Sequence, residues 1–223
     1  MHNKYPNTTF YDMTVAEFMF ICKNSKVDYK TGAELFRSAG TQWITGGGAE
    51  VLDEKFRKRH SQGKYTVEDF FTAQSTLLNN GLKSTATMVI GFDESLTERL
   101  NHLETLREFQ QNHEGKLPSF LCWAYKPENN RLGGHELTTQ EYLRWLAVCR
   151  IYLDNFRTIR TSILTKNDAA LKALSFGADD FDLPIEDQVT QLAGATISLD
   201  FSAILAKAKL AGFEPLARGP LDR

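Results

Sequence analysis

Short runs of β-favouring residues recur at intervals of roughly 30–40 positions, with amphipathic helical stretches between them, the rhythm of βαβ units in a parallel sheet. The runs lie near 8–11, 42–45, 84–90, 119–125 and 158–164. Ser119-Phe-Leu-Cys-Trp-Ala-Tyr125 is almost wholly apolar, as a strand covered on both faces requires. Thr14 with Glu17 has capping-box spacing, and Val15, Phe18, Met19 and Cys22 fall on one helical face behind it. Further helices are expected over 31–39, 49–60, from Thr66 to Asn79, from Thr97 to His113 and from Thr138 to about Asn155. Beyond these come helices near 167–176, 185–194 and 200–211. The fold class read from this order is α/β: a partial (β/α) TIM-type barrel of about five parallel strands over 1–165, with a helical extension over 166–223 packed on it.

Parallel sheets place their chemistry beyond the carboxyl ends of the strands. Five segments occupy that position: Tyr11-Asp12, Gly46-Gly-Gly-Ala-Glu50, Gly91-Phe-Asp-Glu94, Lys126-Pro-Glu-Asn-Asn130 and Thr165-Lys-Asn167. Gly46, Gly47 and Gly48 either make a tight turn or let backbone approach something closely. They lack the GxxxxGK[ST] and GxGxxG patterns of nucleotide loops. On the plainest reading they turn the chain from strand to helix, with Glu50 in the first helical turn. Arg57 lies two turns on, as on a solvated helix face. Asp93-Glu94 suits either ribose hydroxyls, a cation or a helix start. Asp154-Asn155 reads as a helix terminus, and Gly177-Ala-Asp179-Asp180-Phe-Asp182 as an acidic turn without the EF-hand pattern.

Composition narrows the class. The chain is 42% hydrophobic and 24% charged with net charge −2, so no global field favours nucleic acid or an anionic membrane. No run is long and apolar enough to span a bilayer, and no signal core follows Met1, so a cytoplasmic location is expected. Cys22, Cys122 and Cys149 are far apart and form neither CxxC nor CxxxCxxC. The five histidines show no metal spacing, and no metal site is expected.

Taken together, these stretches resemble the later part of the radical S-adenosylmethionine enzymes of the futalosine route to menaquinone, of the aminodeoxyfutalosine synthase and dehypoxanthine futalosine cyclase type. The resemblance runs collinearly through Gly46-Gly-Gly-Ala-Glu50 with Arg57, Ala86-Thr-Met88, Gly91 with Glu94, Glu98-Arg99, His102-Leu103, Arg107 with Gln110 and Pro127-Glu-Asn-Asn130. It continues through Arg150, Leu153-Asp-Asn155, Gly177-Ala-Asp-Asp180, Ala193-Gly194 and Ala211 to Arg218. Glu128-Asn-Asn130 and Gly177-Ala-Asp-Asp180 lean toward the synthase. The sequence departs from the family pattern at Thr45, Leu77-Leu78, Phe92, Arg160, Asp182-Leu-Pro184 and after Arg218.

The resemblance implies a (β/α) barrel whose fourth strand is the run at 8–11. S-adenosylmethionine and a [4Fe-4S] cluster are the implied cofactors, but the cluster ligands are absent from this chain. It implies binding or scaffold roles for Gly46, Gly47, Gly48, Glu50, Arg57, Glu94, Asn130 and Arg150, with Asp154, Asn155, Asp179 and Asp180 as structural rim groups. The catalytic residues stay unassigned. A half barrel leaves two open edges, so the expected partner is a separately encoded amino-terminal half carrying the cluster motif, or a second copy joined through those edges, besides a small-molecule substrate. The alternatives are a non-catalytic remnant and an unrelated small-molecule-binding α/β protein.

Overall fold

The computed structural model describes residues 4, 9, 11–61, 64–129, 133–183, 188–197 and 200–218. Six strands are seen among them: β1 (Tyr11–Thr14), β2 (Trp43–Thr45), β3 (Ala86–Ile90), β4 (Ser119–Ala124), β5 (Thr158–Ser162) and β6 (Asp180–Asp182). Every pairing is parallel and between neighbours in sequence: β1 with β2, then β3, β4, β5 and β6 side by side. A bridge from Trp43 to Lys83 joins the two groups, with Ile44 N–H donating to the Lys83 carbonyl at 3.0 Å and Lys83 N–H to that of Gln42 at 2.9 Å.

Between the strands run α1 (Val15–Ser25), α2 (Tyr29–Ser38), α3 (Glu54–His60), α4 (Val67–Asn79), α5 (Leu96–Asn112) and α6 (Thr139–Tyr152). After β5 come α7 (Ile163–Lys166), α8 (Asp168–Lys172) and a 3₁₀ turn (Ala173–Phe176); after β6 come α9 (Gln188–Leu192) and α10 (Phe201–Leu210). Sheet and helices share one core. Ala86, Met88 and Ile90 of β3, Phe120, Cys122 and Ala124 of β4 and Ile159 of β5 pack with Phe18, Leu103, Tyr142 and Leu146 from the helices. Strand alternation puts Thr87, Leu121, Arg160 and Asp180, which are register partners, on the opposite face.

The α/β class and the neighbour-by-neighbour parallel order match the sequence reading, and three details differ. The first strand runs over 11–14 rather than 8–11, ending at Thr14, which caps α1. The helix expected over 49–60 begins only at Glu54, because the Asp53 carboxylate caps it, accepting from the N–H groups of Lys55 and Phe56 at 2.8 and 3.0 Å. Glu50 therefore lies outside it, in the left-handed region at φ 49°.

The third difference is that the acidic turn contains β6, so the segment after 165 adds a strand to the sheet as well as helices. Its alternation escaped notice because neither face meets water in the usual way. Phe181 packs with the α8 and α10 cluster. Asp180 and Asp182, on the other face, meet Arg160 (3.7 and 2.9 Å) and Asp180 also meets Arg218 (2.9 Å). Burial pushes both carboxyls above their usual range, against the pull of these guanidinium groups.

Candidate functional site at the carboxyl edge

The triple glycine leaves β2 at its carboxyl end, and what it approaches is the protein itself. A Cβ on Gly46 would lie 2.1 Å from the Thr85 carbonyl oxygen, and one on Gly47 2.4 Å from Thr14 Cγ2. Gly48 has φ +91°, and a Cβ there would meet Ala16 Cβ at 2.3 Å. Thr87 Oγ1 donates to the Gly46 carbonyl at 2.7 Å, and Tyr65 O–H to that of Gly48 at 2.6 Å. The close approach read from the sequence as serving a ligand is thus an approach of backbone to β3, α1 and Tyr65.

Arg57 completes this scaffold. It is buried, stacks 4.5 Å from the Tyr65 ring centroid, and donates to the carbonyls of Ala49 and Tyr65 at 3.2 Å each. It holds loop carbonyls rather than standing on a solvated face. Glu50 differs: a quarter of its side chain is exposed. It accepts from Ser61 Oγ at 3.0 Å and Lys64 Nζ at 3.4 Å. It also walls a groove of about 890 Å³ with Phe20, Lys23, Tyr29 and Tyr65.

After β3, Glu94 folds back under its own loop. Its carboxylate accepts from the N–H groups of Gly91 and Phe92 at 2.8 Å each and from Arg99 at 2.6 Å. All its capacity goes to shaping that loop. Asp93 stays more open, 2.5 Å from His60 Nε2 and 3.3 Å from Arg59; despite its partial burial these two groups hold its carboxyl below the usual range. Phe92 stacks on Tyr125 at 4.2 Å between ring centroids, tying the β3 and β4 loops together.

The loops after β4 and β5 converge on Glu136. Lys126 Nζ lies 2.7 Å and Lys166 Nζ 3.3 Å from its Oε1, and Lys166 also donates to the Leu137 carbonyl at 2.7 Å. The sequence marked these loops as rim segments without singling out these side chains. The signal available was a lysine one to four residues beyond the end of each of two adjacent strands. Asn130 lies outside the described residues. Its neighbour Asn129 donates through Nδ2 to the Leu192 carbonyl at 2.8 Å.

Four sequence-marked groups lie at the opposite, amino end of the strands. Arg150, near the end of α6, donates to the Gly177 carbonyl and pairs with Asp179, both at 2.6 Å. Asp179 also accepts from Ile159 N–H at the start of β5, at 2.9 Å. Asp154 pairs with Arg107 at 3.0 Å, and Asn155 donates to the Arg107 carbonyl at 2.9 Å. These are structural joints between α5, α6, β5 and β6. Of the binding or scaffold roles implied for Arg150, its pairing with an acidic residue at the amino end of the strands fits the scaffold one.

His102 is fully buried on α5. Its Nδ1 accepts from Leu52 N–H at 2.8 Å, and burial lowers its pKa to about 3, so it stays neutral and holds the segment entering α3. The cysteines do not fit a [4Fe-4S] cluster. Cys22 on α1, Cys122 on β4 and Cys149 on α6 are buried in the apolar core, and no group of three potential metal ligands exists among the described residues. No helix there is long and apolar enough to cross a membrane.

With this geometry in place, residues 115–220 match the family model described as the CofH/MqnC C-terminal region. Over those residues the chain matches the C-terminal region of that family. It is 34% identical to the cyclic dehypoxanthine futalosine synthase of Halalkalibacterium halodurans, over 96% of this chain and 59% of that protein. It is 32% identical to the aminodeoxyfutalosine synthase of Thermus thermophilus, over 87% of this chain and 54% of that one. The chain thus spans little more than half the length of these CofH/MqnC-type relatives.

Among solved structures it is similar to methylornithine synthase (TM-score 0.63, 14% identity, 86% of this chain and 57% of that one). It is also similar to the FeFe-hydrogenase maturase HydG of Carboxydothermus hydrogenoformans (TM-score 0.61, 12% identity, 82% and 45%). At these identities the likeness concerns the fold, a (β/α) barrel of which this chain forms part.

Proposed function

We propose that this chain supplies the later part of a radical S-adenosylmethionine enzyme of the futalosine route to menaquinone, and that the cluster-ligating cysteines come from residues outside these 223. The observation that carries the reading is the arc itself. Six parallel strands stand in sequence order, an arc that stops short of a closed eight-stranded cylinder. Neither β1 nor β6 has a strand on its outer edge among the described residues. A complementing amino-terminal half would pair with both edges and bring the cluster over the carboxyl edge.

In that assembly the cluster and S-adenosylmethionine supply radical chemistry, and this chain's residues bind and shape. Glu50 is the carboxylate left partly open to hold a polar ligand group. Arg57, Tyr65 and the glycines fix its loop, and Glu94 with Arg99 fixes the next. The finer reading is a synthase of aminodeoxyfutalosine type. Of the two segments that lean that way, Glu128-Asn-Asn130 follows β4 at the carboxyl edge and bears on substrate, whereas Gly177-Ala-Asp-Asp180 enters β6 from the amino end and does not. A cyclase role is the competing one, since the relatives of both names stand at nearly equal identity.

The test is to co-express this chain with the amino-terminal part of the Thermus thermophilus synthase that it does not cover. The expected result is a stable one-to-one complex that binds iron and forms 5′-deoxyadenosine from S-adenosylmethionine on reduction. Substrates of the two enzymes offered in parallel separate synthase from cyclase. A chain that forms no complex, and that alone is a stable monomer or a dimer with both edges protected, would overturn the proposal in favour of a non-catalytic protein.

A further inference from the structure

Glu136 is held as a bound anion would be. Two ammonium groups from different strand-end loops converge on one of its carboxylate oxygens, Lys126 at 2.7 Å and Lys166 at 3.3 Å. The lysine side chains are only 10% and 6% exposed, whereas Glu136 is 41% exposed. Two nearly buried ammoniums meet at a half-exposed carboxylate, and a buried charge stripped of its partner is costly, so the pair would hold an anion that replaced Glu136. Lys166 is held by more than Glu136. Lys166 donates to the Leu137 carbonyl and lies 5.8 Å from the Tyr142 ring centroid. The loop carrying Glu136 is pinned on one side by His135 N–H donating to the Gly91 carbonyl at 2.8 Å.

The Ser162 and Thr165 hydroxyls, on the turn that carries Lys166, are buried and have no hydrogen-bond partner. A buried hydroxyl without a partner costs free energy until one arrives. Ser162 ends β5, so the cluster sits at the carboxyl ends of β4 and β5, where ligands bind in parallel sheets.

We propose that Lys126 and Lys166 form an oxyanion subsite for a small-molecule carboxylate or phosphate, and that Glu136 occupies it as an internal stand-in. The subsite deepens the functional reading above, on which its role in a reaction rests, but binding there needs neither cluster nor partner. Its failure would leave the family reading untouched, and failure of the complementation experiment would leave the subsite standing.

The test is calorimetric titration of the full 223-residue chain with sodium benzoate and with inorganic phosphate at low ionic strength. Glu136→Ala is expected to bind one of the two probes at 1:1 stoichiometry at least tenfold more tightly than the unaltered chain. Adding Lys126→Met and Lys166→Met together should abolish that gain. A tighter benzoate assigns a carboxylate subsite, a tighter phosphate a phosphate subsite. Should Glu136→Ala fail to fold, Glu136→Gln keeps the volume and an oxygen acceptor while removing the charge, and the same gain is expected. In the unaltered chain, NMR shifts of the Lys126 and Lys166 side chains should follow the tighter probe and not chloride. No gain in affinity on removing the Glu136 charge, or a gain that survives loss of both lysines, would overturn the proposal.

Discussion

At residue scale, Gly46, Gly47 and Gly48 look alike in the sequence and differ in what they touch. Gly46 faces the backbone carbonyl of Thr85, which accepts from Gln74 Nε2 at 2.9 Å, whereas Gly47 faces the end of the Thr14 side chain. Gly46→Ala should therefore destabilise the chain by roughly 2–3 kcal/mol, and Gly47→Ala by clearly less. Urea denaturation of the two variants checks the order; equal and negligible costs would return the glycines to a ligand role. That something approaches the backbone was legible from three glycines in a row. Its identity was not, because it lies about 40 positions away in Thr85.

His102 shows a different limit. One histidine on an amphipathic helix says nothing of what surrounds it, yet its environment makes it the clearest pH reporter here. Its folded pKa, about 3, lies below the unfolded value near 6.5. The stability that neutral His102 contributes is fully present above the unfolded value and is lost as pH falls toward the folded one. Between pH 6.5 and 5 the loss should approach roughly 2 kcal/mol, at about 1.4 kcal/mol per unit. Urea midpoints at pH 7 and 5 measure it. His102→Asn should flatten the dependence while keeping an acceptor for Leu52.

At the scale of elements, helix starts were legible where the capping pair is adjacent in sequence and opaque where its partner is distant. Thr14 with Glu17 was read from spacing and forms a reciprocal capping box. Ser95 with Glu98 makes the same box and starts α5 at Leu96, one residue before the sequence reading placed it. What the sequence did not show is that Glu98 has a second partner, Arg59 at 2.6 Å, 39 residues away. That hydrogen bond, with those to Ser95, holds Glu98 down to about 2. Ser95→Ala should cost about 1 kcal/mol, an ordinary lost cap. Arg59→Ala should leave the cap in place and raise the Glu98 pKa toward the usual carboxylate range, which carboxyl NMR titration reads directly. A Glu98 that still titrates near 2 without Arg59 would mean that the cap alone sets its charge. The missed strand β6 follows the same rule, since its polar face is matched by Arg160 and Arg218 rather than by water.

For the whole molecule the open question is how an arc of strands holds its ends. β3, β4 and β5 have pairing partners on both sides or continuous cover from helices, and their inner residues Met88, Cys122 and Ile159 are fully buried. β1 and β6 are short, four and three residues, and each pairs on one side only among the described residues. Edge strands open at a fraction of the global unfolding free energy, so amide exchange should grade outward from the centre. Amides of Met88, Cys122 and Ile159 should exchange slowest, and those of β1 and β6 at least a hundredfold faster, in the chain by itself. Adding the amino-terminal part of a relative should slow β1 and β6 together and leave the central strands unchanged, because closure supplies partners only at the two edges. Protection that rises at one edge alone would describe a docked neighbour rather than a closed cylinder. Edges already as slow as the centre in the isolated chain would mean that the arc is finished without help.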